Sequence, residues 1–189
     1  MTGLVLLSAP AAEPVSVAEL TAHLRLDDAA EAGLLGGLIA TARQSCEQFL
    51  NRALITQSWR LTLDRWPASA VRFARAPLRS VDAVVVYGAD DNATALATDD
   101  FLVNTAAEPG LMVPRSGAWP PAPGRTRGGI EIDFTAGFGD GWNDVPAAVR
   151  HAVLIMAAHL YERRDGGMAA AALPDQVAGL LRPFRMLAL

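Results

Sequence analysis

Residues 129–164 read GIEIDFTAGFGDGWNDVPAAVRHAVLIMAAHLYERR, and the fold turns on how that stretch divides. Ile130, Ile132 and Phe134 alternate with Glu131 and Asp133, the period-two pattern of a strand with one wet face. Gly137, Gly139 and Gly141 interrupt the pattern, and a long, almost uncharged helix follows. This order serves either a phosphate-binding strand-loop-helix or a structural corner leading into a buried packing helix.

Within the helix, Val149, Ala152, Val153, Met156, Ala157, Leu160 and Tyr161 follow the i, i+3, i+4, i+7 rule and form one apolar stripe. Pro146 fits the first turn, where a missing N–H is harmless, and Asp140 and Asp144 suit the positive end of the helix dipole. Arg163 and Arg164 suit the other end. Leu154 and Ile155 fall off the stripe, Ile155 between His151 and His159 on the face expected to be solvated. A helix that is apolar on two sides is covered on two sides, and the second cover is read here as another subunit or a second helix.

Upstream, Ser16 and Glu19 have capping-box spacing, so a short helix is predicted over 17–26, broken at Asp27 and Asp28. A second helix is predicted over 31–51, with Leu35, Leu38, Ile39, Ala42, Cys46, Phe49 and Leu50 on its apolar face and Arg43, Gln44, Glu47 and Gln48 largely opposite. Gly36 and Gly37 weaken that helix by roughly 1 kcal/mol each relative to alanine, which close approach of another backbone or a frayed first turn would explain.

After Asn51 the period changes to two at Trp59, Leu61 and Leu63. Further short strands are predicted at 71–73, 81–87, 101–103, 111–113 and 130–134, separated by segments rich in proline and glycine. Turn signals at this density, with no helix between strands, indicate antiparallel hairpins. A Gly-Ala link over 166–172 precedes a last helical turn or two over 174–181, which Pro183 stops. The expected fold is therefore α+β, mainly α: a helical bundle core with an inserted small antiparallel β region. All 189 residues form one domain in this reading, with helices at 16–51, a β-rich insertion at 53–135, a long helix at 146–164 and a C-terminal tail at 174–189.

Composition narrows the function. A length of 189 residues, 51% of them hydrophobic and 19% charged, is enough for a real core without staples. The formal charge of -4 gives no global attraction to nucleic acid. Cys46, the one cysteine, reads as a small core residue, with no disulfide and no thiolate metal cage. The run 4–7 is short, lacks preceding positive charge and meets Pro10, so it is expected to be neither a signal peptide nor a membrane span.

The chemical motifs are incomplete. A G-x-G-x-x-G pattern from Gly137 would need glycine where Trp142 stands, no P-loop lysine follows, and Asp140 and Asp144 repel phosphate. Asp140, Asn143 and Asp144 lack the order of a calcium loop and read as helix capping. His151 and His159 are roughly 12 Å apart along a helix and cannot share one ion. Histidine and cysteine are scarce, and the serines show no nucleophile elbow. No catalytic, cofactor-binding or metal site is expected, and the chain is read as a non-enzyme. Arg72, Arg75, Arg79, Arg115, Arg125 and Arg127 could make a basic edge, but no aromatics interleave with them as in a nucleic-acid site. Trp119 and Trp142 lie in loops, where an aromatic can anchor an interface. Pro183, Phe184, Met186, Leu187 and Leu189 form an apolar tail with no evident reason to be buried in its own domain.

Three blocks, taken in order, carry a resemblance. They are Pro14-Val15-Ser16-Val17-Ala18-Glu19-Leu20 with His23-Leu24-Arg25, then Asn51-Arg52-Ala53-Leu54-Ile55-Thr56-Gln57-Ser58-Trp59, and finally Phe134-Thr135-Ala136-Gly137-Phe138-Gly139 through Val145-Pro146 to the helix end at Arg164. Together they resemble the phage head-tail connector (adaptor) proteins. The alanine-rich, lysine-free composition is similar to the adaptor of alphaproteobacterial gene transfer agents, which are phage-like particles.

The resemblance implies a ring of twelve copies in the neck of the virion or particle, assembled in the bacterial cytoplasm. It binds the portal protein above and a stopper or tail-side neck protein below. DNA passes through the lumen without sequence-specific recognition, and no cofactor or membrane is involved. It also implies that the β insertion faces neighbouring subunits and that the C-terminal segment, here Pro183, Phe184, Met186, Leu187 and Leu189, reaches the portal. Leu154, Ile155, Trp119 and Trp142 are the expected subunit contacts. The alternatives are a tail-completion or stopper protein of the same neck and, in a different class, a small nucleotide- or DNA-binding regulator.

Overall fold

The computed structural model describes residues 2–26, 31–163 and 173–186. The expectations placed on Asp27, Asp28, Arg164, the 166–172 link, Leu187 and Leu189 fall outside these residues. The elements run β1 (Thr2–Ser8), α1 (Val17–Leu24), α2 (Ala32–Leu50), β2 (Gln57–Leu63), β3 (Val71–Arg72), β4 (Leu78–Tyr87), β5 (Ala93–Leu96), β6 (Phe101–Asn104), β7 (Leu111–Pro114), β8 (Ile130–Ala136), α3 (Ala147–Glu162) and α4 (Asp175–Leu181). They fall into two compact units, one built from Met1–Ala9 with Thr56–Gly137, the other from Pro10–Ile55 with Phe138–Leu187.

The first unit holds a five-stranded sheet in the order β1-β2-β8-β4-β5 and a three-stranded sheet in the order β3-β7-β6. Every ladder between named strands is antiparallel, as the turn density predicted. In the larger sheet Leu61 lies opposite Ile132, which lies opposite Val84, and all three are buried. Phe134, between Trp59 and Val81, meets Phe73 at a centroid distance of 4.8 Å. The other face carries Arg60, whose Nε lies 2.7 Å from Asp133 and whose Nη1 lies 3.0 Å from Glu131. Hydrogen bonding to Asp133 raises the Arg60 pKa further above its ordinary value. The sheet therefore alternates apolar and charged residues as its sequence does. At the end of β8, Gly137 adopts φ 142° and donates its N–H to the Pro77 carbonyl at 2.9 Å, a conformation that favours glycine.

The second unit packs α1, α2, α3 and α4 around Leu20, Leu35, Ile39, Cys46, Leu50, Val149, Val153, Met156, Val177 and Leu181. The capping box at α1 forms as predicted: the Glu19 N–H donates to Ser16 Oγ at 3.1 Å and the Ser16 N–H donates to Glu19 Oε2 at 2.8 Å. Asn51 ends α2 in a left-handed conformation with φ 55°.

The architecture corrects the expected fold class. Among the described residues helix makes up 35% and strand 28%, and the β region is not a small insertion in a helical bundle core. Two strands absent from the sequence reading account for the difference. One is β1, whose run TGLVLLS lacks alternation and pairs with β2, more than fifty positions away. The other is β5, four residues, three of them small, completing a hairpin with β4. With them the larger sheet gains both its edges, and the strands form a unit with its own core.

Two local expectations also change. No acidic residue lies in the first turn of α3; Asp144 instead accepts the Gly141 N–H at 2.9 Å in the short 3-10 turn Trp142–Asp144. Arg43 and Glu47, read as lying opposite the apolar stripe of α2, are buried. Gly36 and Gly37, by contrast, meet nothing within 4 Å where a Cβ would project. Gly36→Ala and Gly37→Ala are each expected to raise stability by about 1 kcal/mol in chemical denaturation, since alanine confines the unfolded chain and clashes with nothing here.

Candidate assembly surfaces

The strand-loop-helix that opened the alternatives is closed to phosphate by its own acid. The Asp144 carboxylate takes the Gly141 N–H and lies where a Cβ on Gly139 would project. An N–H cradle filled by a carboxylate offers an anion repulsion instead of a pocket. Among the described residues no three His, Cys, Asp or Glu side chains are grouped to hold a metal ion, and no helix is long and apolar enough to cross a membrane. Burial pushes the Cys46 thiol up to about 12, with the Glu47 charge adding to the effect, so it is protonated and unreactive at neutral pH.

What the surface does offer is apolar and aromatic. Trp142 stands 56% exposed beside the N-terminus of α3, with the Arg150 guanidinium 4.3 Å above its ring. Arg150 is itself fixed by three groups: it donates from Nε to the Pro14 carbonyl at 2.9 Å, from Nη2 to Glu19 Oε1 at 2.7 Å, and stacks on Trp142. The Ser16 backbone N–H, with help from the Ser16 hydroxyl and Arg150, holds the Glu19 carboxyl below its ordinary pKa. The indole is thus presented on a braced platform.

The other expected contacts are distributed differently. Leu154 and Ile155 are half-buried and pack against the helical core, so α3 covers part of its second apolar side within its own unit. Trp119 is half-buried, stacked on Trp66 at 4.7 Å and 9° between planes, on the wall of an open cavity of about 600 Å³ that Phe101 and Arg115 also line. In the tail, Pro183 is exposed and Phe184 half-buried, whereas Met186 is buried. The Met186 N–H donates to the Leu50 carbonyl at 2.9 Å, Asn51 Nδ2 donates to the Met186 carbonyl at 3.2 Å, and Arg52 Nε donates to the Phe184 carbonyl at 2.5 Å. The tail has a reason to be buried that its sequence does not display: the left-handed end of α2 presents polar groups that the tail backbone satisfies. Trp119 belongs to the sheet unit, and Leu154, Ile155 and Trp142 to the helical unit.

Sequence reasoning missed a further surface. Val5, Leu6 and Leu7 on β1 are 56%, 42% and 47% exposed, and Leu102 and Val103 on β6 are also exposed. The signal was present in the run 4–7, which was weighed only as a targeting or membrane segment.

No family model and no curated protein matches the chain. Solved structures do. A chain in the neck of the empty gene transfer agent particle, computed with C6 symmetry, superposes with a TM-score of 0.84 at 29% identity, covering 99% of this chain and 97% of that one. A chain in the virion of the native particle gives 0.83 at 29% identity, covering 98% and 96%. A chain in the neck of the native particle, computed with C12 symmetry, gives 0.78 at 30% identity, covering 100% and 97%. With that identity sustained from end to end, the protein belongs to the same family as this chain of the gene transfer agent neck.

Proposed function

We propose that the protein is a structural subunit of the neck of a gene transfer agent or related phage-like particle, acting as the head-tail adaptor: a ring of twelve copies beneath the portal. The observation that carries this reading is end-to-end likeness to chains of necks computed with C12 and C6 symmetry. An apolar, aromatic surface on a chain whose glycine loop is occupied by its own aspartate supports it. A net charge of -4 suits a ring that DNA traverses, since attraction would slow passage. The segment of Pro183, Phe184, Met186, Leu187 and Leu189 is the proposed portal contact, with the docked Met186 as its anchor point. Leu154, Ile155, Trp119 and Trp142 are proposed subunit contacts.

Mixing the purified chain with portal-bearing particles and imaging the product by electron microscopy tests the assignment. A ring at the portal vertex is expected; its absence, or a melting shift with nucleotides, overturns it in favour of the regulator. A ring that binds only after another neck protein is present assigns it to the stopper position instead. Trp142→Ala is expected to lower stability by no more than about 1 kcal/mol, because the exposed Arg150 contact is worth about that much. It is expected to weaken ring assembly by roughly 30-fold or more if the indole is an interface anchor. Sedimentation of the variant and its incorporation into particles measure the effect.

A further inference from the structure

The larger sheet distributes its charges in an unusual way. Its interior strands carry them all: Arg60 on β2, Glu131 and Asp133 on β8, Arg79 and Asp82 on β4. The two edge strands, TGLVLLS in β1 and ATAL in β5, carry no charge and no proline. Folded chains ordinarily guard sheet edges with lysine, proline or inward charge, because an edge is a template for another strand. Here charge and proline are absent from both edges, leaving only the shortness of β5 and a register shift between Leu6 and Ser8 near the end of β1 as protection, and on β1 three successive apolar residues are exposed: Val5, Leu6 and Leu7. Since successive residues face opposite sides of a sheet, burying all three calls for a partner that extends the sheet itself.

From this pattern we infer that β5 of a second copy adds to β1, so that the sheet continues from one subunit to the next. This rests on the ring reading above, and ring symmetry is what selects the occupant. A contact of β1 with another β1 is isologous and closes at two copies, whereas a ring of one chain type needs two different, complementary surfaces on each subunit. Opposite edges of one sheet supply them. In an antiparallel sheet of five strands the first and last run in the same direction, so β5 of the neighbour meets β1 in parallel register. The faces match as well. Val5 lies opposite Arg60, itself opposite Asp133, while Ala95 lies opposite Val85, itself opposite Glu131. Val5 and Ala95 therefore share a face, and small Ala93 and Ala95 leave room for Val5.

Cysteine cross-linking tests the pairing cleanly, because Cys46 is buried and protonated and adds no background. Val5→Cys combined with Ala95→Cys, and a register-shifted pair of Val5→Cys with Ala93→Cys, are assembled on portal particles and treated with a short bismaleimide. A ladder of covalent oligomers up to the closed ring is expected from at least one pair, with none from the single variants. Leu7→Lys, which changes an exposed side chain, is expected to abolish ring assembly while leaving the melting temperature of the free chain unchanged. Rings that form normally with Leu7→Lys and give no ladder from either pair overturn the pairing and leave the neck assignment intact. Covalent dimers from Val5→Cys alone overturn it in favour of a contact between like edges. Failure of the unmodified chain to form rings removes the neck assignment and this pairing together.

Discussion

Glu47→Ala is expected to destabilise the helical unit by about 3–5 kcal/mol, the loss typical of removing one member of a buried ion pair. Arg43 Nη1 lies 2.7 Å from Glu47 Oε2 and Arg43 Nε lies 2.8 Å from Glu13 Oε2, with the Arg43 and Glu47 side chains only 6% and 9% exposed. Burial pulls the Arg43 pKa down, but the hydrogen bond to Glu13 and the charges of Glu47 and Glu13 more than reverse it, so the net shift is upward. Glu47 also accepts the Leu54 N–H on Oε1 at 2.8 Å, tying the end of α2 to the segment that follows. Truncation therefore leaves the buried guanidinium with Glu13 alone and takes the acceptor from a buried N–H in one step. Glu47→Gln keeps the shape and an acceptor for Leu54 and should lose less. Converting both Arg43 and Glu47 to leucine removes the under-paired charge and should recover part of the deficit, the remainder being the lost acceptor of the Leu54 N–H. Urea unfolding followed by circular dichroism measures all three; equal stability of Glu47→Ala and the unmodified chain would remove the ion pair from any structural role.

The same pair shows what could be read in the sequence and what could not. The helices were legible because their stabilising pattern is local: Ser16 and Glu19 are three positions apart, and the apolar stripes of α2 and α3 repeat within a turn. Arg43 and Glu47 obey that local pattern too, as an i, i+4 pair that usually lies in water. Only Glu13, thirty positions upstream, reveals that it lies inside. Likewise β2 and β8 announced themselves by alternation and β3, β4, β6 and β7 as short runs set off by proline- and glycine-rich turns, whereas β1 was weighed as a targeting or membrane run and β5 is too short to be distinguished from a turn. The balance of helix and sheet was misjudged for that reason. The candidate surface was legible where an aromatic stood in a loop, as at Trp142. It was illegible where exposure depends on which strand ends up at an edge, as at Val5, or on which backbone groups await a partner, as at Met186.

Phe134→Ala should be the corresponding break in the sheet unit, with an expected loss of about 3–5 kcal/mol. The side chain is fully buried on β8, the middle strand, which is paired on one side with β2 and on the other with β4. Its ring meets Phe73 at 4.8 Å and 56°, a tilted arrangement worth about 0.5–1.5 kcal/mol beyond the area it buries. Trp59 and Val81, its neighbours across the strands, cannot collapse into the space without breaking ladders that Trp59 and Val81 hold in register with β8. Phe134→Leu, which leaves a smaller void, should lose less, and the difference between the two variants measures how rigidly the site resists collapse. Because β8 is the middle strand of the larger sheet, the damage should reach both uncharged edges, and amide exchange should quicken in β2 and β4 before any change in α2. An assembly built on those edges loses its geometry with them: Phe134→Ala should fail to enter particles at temperatures where α2 and α3 remain protected. Incorporation at the normal level under those conditions would mean that the neck contact is made by the helices, with the sheet as a bystander.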